Sequence, residues 1–229
     1  MGQMNNPLKA LWSKEHKRDG FLLGVAVGSF GITFGVLAIS AGLSGPKAAV
    51  MSLVVFTGAS QFAAVGIVNS GGEPISALGT ALLLSARNGA YALSLSQVMP
   101  NKLSRRLLAA QLVIDESAAM SKAQSNLQDA KEAFWVTGLS VFFFWNAGTL
   151  VGILLGEVVG DPLVWGLDAA FPAAFVALLL PHIKERGKRR AAILGAGVAL
   201  LTIPLVPSGV PVVLAASSAA IVSWGESRR

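Results

Sequence analysis

The chain has no cysteine, two histidines, one tyrosine and only 13% charged residues among its 229. Without cysteine there is no disulfide framework, thiolate nucleophile or Cys-based metal site, and His16 and His182 stand apart at the ends of apolar runs. The scarcity of charge is equally restrictive. A soluble fold needs roughly a quarter of its residues charged to cover its surface, and 18 basic and 12 acidic side chains fall far short. A soluble enzyme is therefore excluded, and no phosphate loop, catalytic triad or metal spacing suggests an enzyme or a cofactor of another kind. The net charge of +6 raises the question of nucleic acid. The basic residues, however, sit in short clusters between apolar runs, where the positive-inside rule expects them.

What is present is apolar sequence: 53% hydrophobic residues and a mean hydropathy of +0.63. These predict an all-α polytopic membrane protein, since a bilayer core needs about 20 apolar residues per helix. Seven runs qualify: Gly20 to Leu43, Ala48 to Val68, Pro74 to Leu95, Phe134 to Gly156, Val164 to Leu180, Ala191 to Val206 and Val210 to Trp224. The first is too long for a signal-peptide core and lacks a clear cleavage site, so it counts as part of the mature protein. Leu107 to Met120 is a possible eighth element. It is short and carries Asp115 and Glu116, so it lies in the interface or is buried against other helices. Residues 1–19 form an interfacial segment, with Leu8, Leu11 and Trp12 beside Lys9, Lys14, Lys17 and Arg18. Residues 20–224 form the membrane domain and 225–229 a tail. Seven spans with the N-terminus outside and eight with it inside divide the basic residues equally well. Both put Lys184 to Arg190 and the C-terminus in the cytoplasm.

The chain also carries a weak internal repeat, with halves at about 20–96 and 134–206. Gly31 and Gly35 lead through Gly45-Pro46 to Phe56-Thr57-Gly58-Ala59, while Gly148 and Gly152 lead through Asp161-Pro162 to Phe171-Pro172-Ala173-Ala174. Each unit is a glycine-striped helix, a turn with Pro, and a helix interrupted near its middle. Interrupted helices at matching positions of two halves point to a midplane site in a secondary transporter. Seven spans would make the halves inverted, eight parallel. The stripes Gly24, Gly28, Gly31, Gly35 and Gly148, Gly152, Gly156, Gly160 each fall on one helical face. Such faces serve internal helix packing or the docking of another membrane subunit.

Candidate site residues follow from polarity at membrane depth. Thr57, Gly58, Ser60 and Gln61 break the second span, and the half-helix beginning near Ser60 offers N–H groups suited to a carboxylate. Phe62 and Phe171 offer apolar walls. Arg87, with Asn88 and Tyr91, is either a carboxylate clamp or half of an ion pair with Asp115, Glu116 or Asp168. Those three acids are also candidate proton carriers, because burial raises a carboxyl pKa. Pro172 kinks the fifth span. Asn146, beside Trp145 and Thr149, is either substrate contact or interhelical glue.

Taken in order and spacing, several of these segments resemble the AzlC family, the large subunit of bacterial branched-chain amino acid exporters. They are Phe56 to Phe62, Ala86-Arg87-Asn88 through Tyr91 to Leu95, Asp115-Glu116, Gly148 to Gly152, and Gly166 to Phe175. The resemblance runs over about residues 20–224. It implies export of leucine, isoleucine and valine, extending to methionine, across the bacterial inner membrane. It further implies coupling to the proton motive force and a small AzlD-type partner subunit. Asn88 stands where the family often has His, which removes a protonatable group from that position. The rival classes are an intramembrane enzyme, for which the spans offer no nucleophile with a base, and a channel, for which no ring of like residues exists.

Overall fold

A computed structural model describes residues 14–159, 173, 176, 179–180, 182–184, 186–206 and 210–227. Asp168, Phe171, Pro172, most of the Val164 to Leu180 run and the Leu8-Leu11-Trp12 stripe lie outside the described residues. The described elements are all helical. They are α1 (Glu15–Ser40), α2 (Gly45–Val55), α3 (Gly58–Asn69), α4 (Pro74–Ser94), α5 (Leu103–Gln111), α6 (Asp115–Lys122) and α7 (Leu127–Val159). After a 3-10 turn at His182–Lys184 come α8 (Arg186–Thr202) and α9 (Val210–Ser227). Among the described residues, Glu15–Ser40 and Leu127–Val158 are long and apolar enough to cross a bilayer unaided.

These two helices form the central seam, and they run parallel. Gly20, Gly24, Gly28, Gly31 and Gly35 of α1 meet Thr137, Ser140, Phe144, Trp145 and Thr149 of α7 in that order. Gly148 and Gly152 answer from α7, lying against the backbone carbonyls of Gly28 and Ile32. A Cβ at any of these seam glycines would collide with the facing helix. The two stripes predicted from the sequence thus pack on each other as far as Gly152, Gly156 meets the Ile39 side chain, and Gly160 lies outside the described residues. They are unavailable as a docking face for another subunit, because a glycine stripe brings backbones into contact and each stripe has found the other.

The second apolar run does not continue across as one helix. Ten residues of straight helix would separate Met51 from Gln61 by about 15 Å, yet Gln61 Nε2 donates to the Met51 carbonyl at 3.0 Å. The chain therefore turns back at Phe56, and α2 and α3 form a hairpin. Gly45 at its base lies against Ile153 and Glu157, while Gly58 at its tip touches the Trp145 ring midway along α7. From its base α4 runs the other way: Ala77 packs with Ala64 and Ile67, and Ser85 reaches Ser60.

Leu103–Lys122 is likewise no single span but a second hairpin, whose tip and second helix pack against α7 while α5 buries only Ala109. Leu112 at its tip lies over Gly138 of α7, and Ser121 near its base donates to the Ala130 carbonyl at 2.9 Å. The tip is tied by Ser117 Oγ, which accepts from the Ile114 N–H at 3.1 Å and donates to the Leu112 carbonyl at 2.6 Å. The two hairpins enter from opposite faces and their tips meet. Gln111 Nε2 donates to the Leu53 and Val54 carbonyls at 2.9 and 3.2 Å, supplying partners for backbone acceptors at the end of α2 that no water could reach in lipid. With this topology Lys14, Lys17, Arg18, Lys102, Arg105, Arg106, Lys122 and Lys131 gather on the face where α1 and α7 begin, and Lys47 lies on the opposite face.

Candidate functional site

The turn between α2 and α3 shapes the site. Phe56 sits in the left-handed region at φ 32° and ψ 52°, a conformation that costs a residue with a Cβ about 1–2 kcal/mol. Burial to 3% exposure and an edge-on contact with Phe142 at 4.9 Å between ring centroids hold it there. Thr57 is extended and begins α3 without a side-chain cap. The N–H groups of Gly58, Ala59 and Ser60 consequently lack intrahelical acceptors, and their positive end favours an anion.

Beside this end lies a cavity of about 380 Å³. The first hairpin contributes Thr57, Gly58, Ala59 and Phe62, α4 contributes Leu84, Arg87 and Asn88, and the second tip contributes Ile114, Asp115 and Glu116. Val27, Phe30, Val141, Trp145 and Leu179 complete an otherwise apolar wall. Arg87 Nη2 meets Asp115 Oδ2 at 2.9 Å. Among the described residues, Arg87 Nε, Asp115 Oδ1, Asn88 Oδ1 and Trp145 Nε1 are buried without a hydrogen-bond partner.

The sequence-predicted residues thus divide. Thr57, Gly58, Phe62, Arg87, Asn88, Asp115 and Glu116 come together around one cavity. Ser60, Gln61 and Asn146 stand behind it. Ser60 Oγ lies 3.0 Å from Ser85 Oγ, Gln61 braces the first hairpin, and Asn146 Oδ1 accepts from Ser52 Oγ at 2.8 Å while its amide donates to the Phe142 carbonyl. The glue reading fits Asn146. Gln111 was not among the residues singled out from sequence; a long amide in an apolar stretch, just before the Asp115-Glu116 pair, is the signal it left. Trp145 was noted only as a neighbour of Asn146, yet it lines the cavity and stacks on Phe34.

A second cluster of charge sits at the start of α1 and α7. Leu127–Val159 has 33 residues, about 50 Å against a hydrocarbon core of about 30 Å, so its first turns project beyond the membrane. There Lys14 bonds Asp129 at 2.7 Å and Glu132 at 3.1 Å, and Lys17 bonds Glu132 at 3.0 Å. Hydrogen bonds from Gln128, Lys17 and Lys14 pull the Glu132 carboxyl down to about 2. His16, Asp129 and Glu132 could bring ligand atoms within 4.8 Å of one another. Two ammonium groups already neutralise those carboxylates, which makes the cluster an ion-pair network.

The family described as AzlC protein matches residues 23–159, which takes in the seam from Gly24 onward, both hairpins and all but one of the cavity-lining residues. Among relatives, an uncharacterized membrane protein of Archaeoglobus fulgidus is 32% identical over 83% of this chain and 84% of its own. An uncharacterized membrane protein of Helicobacter pylori is 27% identical, with 88% of each chain covered. The branched-chain amino acid transport protein AzlC of Bacillus subtilis is 25% identical over 76% of this chain and 69% of its own. No solved structure matches the chain.

Proposed function

The chain belongs to the AzlC family and is a membrane protein, and from that premise we propose that it is a secondary transporter exporting branched-chain amino acids. It acts as the large subunit of a two-component system with a small AzlD-type partner, in the bacterial inner membrane, with about seven transmembrane helices, or eight. Leucine, isoleucine and valine are the expected substrates, with methionine beside them. The proton motive force drives export, with Asp115, Glu116 or Asp168 as carriers. The observation that carries this reading is the cavity between the hairpin tips. Irregular backbone persists at membrane depth where it lines a cavity, and paired broken segments around such a cavity suit alternating access. Its apolar walls suit an aliphatic side chain, and its charged floor suits an α-amino and an α-carboxyl group.

The crowd of basic residues on the face where α1 begins supports a cytoplasmic N-terminus, with Lys184 to Arg190 and the C-terminal tail on the same side. The absence of cysteine makes this testable without background. Single cysteines replacing Lys102 and Lys47 should be labelled by an impermeant maleimide from opposite sides, Lys47→Cys from outside. The transport reading is tested in proteoliposomes loaded with labelled leucine, with and without the small subunit, under an imposed pH gradient. Gradient-dependent efflux is expected with both subunits, and its absence in both preparations would remove the reading.

A further inference from the structure

The Arg87–Asp115 contact is an incomplete ion pair. A structural pair in a membrane interior is stable when the guanidinium meets the carboxylate through two parallel hydrogen bonds and the remaining atoms find partners. Here there is one contact, Nη2 to Oδ2 at 2.9 Å, with the Tyr91 hydroxyl beside Asp115, and among the described residues Arg87 Nε and Asp115 Oδ1 have no hydrogen-bond partner. Both side chains remain more than a third exposed, and both line the cavity. Two other residues that line the cavity are equally unsatisfied. Asn88 Oδ1 is an acceptor without a donor, and Trp145 Nε1, in a side chain only 4% exposed, is a donor without an acceptor. Buried polar atoms left this way cost about 1–3 kcal/mol each. Four such atoms beside one cavity leave its polar network incomplete, and the exposed parts of Arg87 and Asp115 give a ligand in the cavity one cation and one anion to meet.

We propose that Arg87 and Asp115 hold each other's place for the two charges of an α-amino acid. On binding, the substrate carboxylate takes Arg87 and the free N–H groups at the start of α3, while its ammonium group takes Asp115. The protein's ion pair opens and re-forms when the substrate leaves. Each charge of the substrate thus replaces one that the partner side chain loses, so a zwitterion enters without leaving either residue uncompensated. A monoanion would occupy Arg87 but strand Asp115, and a monocation would do the reverse. Stranding a desolvated charge is what makes breaking one side of such a pair costly. The specificity that follows is for the α-zwitterion itself, independent of which aliphatic side chain the apolar wall accepts.

This inference rests on the transport reading, and the two fail separately. The test uses the full chain with its small subunit in nanodiscs and measures displacement of labelled leucine by three isosteres. They are unlabelled leucine, 4-methyl-2-oxopentanoate, which lacks the ammonium group, and 3-methylbutan-1-amine, which lacks the carboxylate. Both single-charge analogues should compete at least about 100-fold more weakly than leucine, the range expected when a site's polar group is left unpaired. Asp115→Asn should weaken leucine by about 10-fold or more and strengthen the oxo acid relative to the wild type, because Arg87 no longer has a charged competitor. A purely structural pair would lose all ligands together in that variant. If either analogue competes as well as leucine in the wild-type protein, the place-holding idea is wrong, and this holds whether or not Asp115→Asn folds. No leucine binding at all would instead overturn the transport reading on which it stands.

Discussion

The seam between α1 and α7 and the cavity between the hairpin tips lie within a few residues of each other on α7, and they are built on opposite principles. Along the seam, glycines bring backbone against backbone, and the facing helix fills the space where a side chain would go. At the cavity, side chains converge but leave donors and acceptors unmatched. Close packing in lipid, where no hydrophobic force drives helices together, is what associates them. Unmatched polar groups are what a site retains for a ligand. The contrast separates a rigid scaffold from a region that can change partners.

The largest effect should come from breaking the seam. Gly148→Leu or Gly152→Leu forces a side chain into the backbone of α1, a harsher version of overpacking that already costs about 1–3 kcal/mol in ordinary cores. Most folded protein should be lost in size-exclusion of the solubilised chain. Gly79→Leu and Gly89→Leu are the controls, because nothing lies within 4 Å of a Cβ at either position, and they should retain near-normal yield. Equal losses in both sets would mean that the seam is no tighter than the lipid-facing surface.

Next comes the cavity, where function should fall and folding should not. Arg87→Lys keeps the charge but loses the planar fork, so leucine efflux should drop about 10-fold or more with folded yield unchanged. Full efflux in that variant would show that only the charge of Arg87 matters.

Gln111→Leu is expected to be intermediate in kind. It removes both hydrogen bonds that join the hairpin tips, a loss of about 1 kcal/mol for each net bond. A modest fall in thermal stability together with slower transport would place it between scaffold and site; unchanged transport would mean that the tips do not act together.

The smallest effect should come from the ion-pair network at the membrane rim. The Glu132 carboxyl is lowered to about 2, below its ordinary value of 4.5. Its contribution to stability is therefore fully present above about pH 4.5 and is lost as pH falls toward 2. Between pH 5 and 8 Glu132→Gln should shift the melting temperature by the same small amount at every pH. A shift that grows within that range would show that another titrating group controls the rim.

Much of this was legible in the sequence because membrane chains are strongly constrained residue by residue. The apolar runs located α1, α4 and α7, and the polar stretch at Thr57 to Gln61 located the break that became the first hairpin tip. Arg87 stood out because a guanidinium at membrane depth must be compensated. Other features were hidden because they depend on partners far along the chain. Gln111 matters only through the carbonyls of Leu53 and Val54, and Trp145 only through its position beside Gly58 and Phe62.

The sequence by itself determined that this protein lives in a bilayer, that it is helical and that certain segments cannot run through uninterrupted. Each of those follows from the cost of placing a given residue in hydrocarbon, which is local. Only the tertiary structure decided which way the chain turned after each interruption, that the glycine stripes of α1 and α7 met each other in parallel, and that Asp115 reached Arg87. Direction and pairing carry no signature in hydropathy, because an apolar half-helix has the same transfer energy whether it continues across the membrane or folds back. They are settled by contacts between distant residues, such as Gln61 on the Met51 carbonyl, that exist only once the helices have packed.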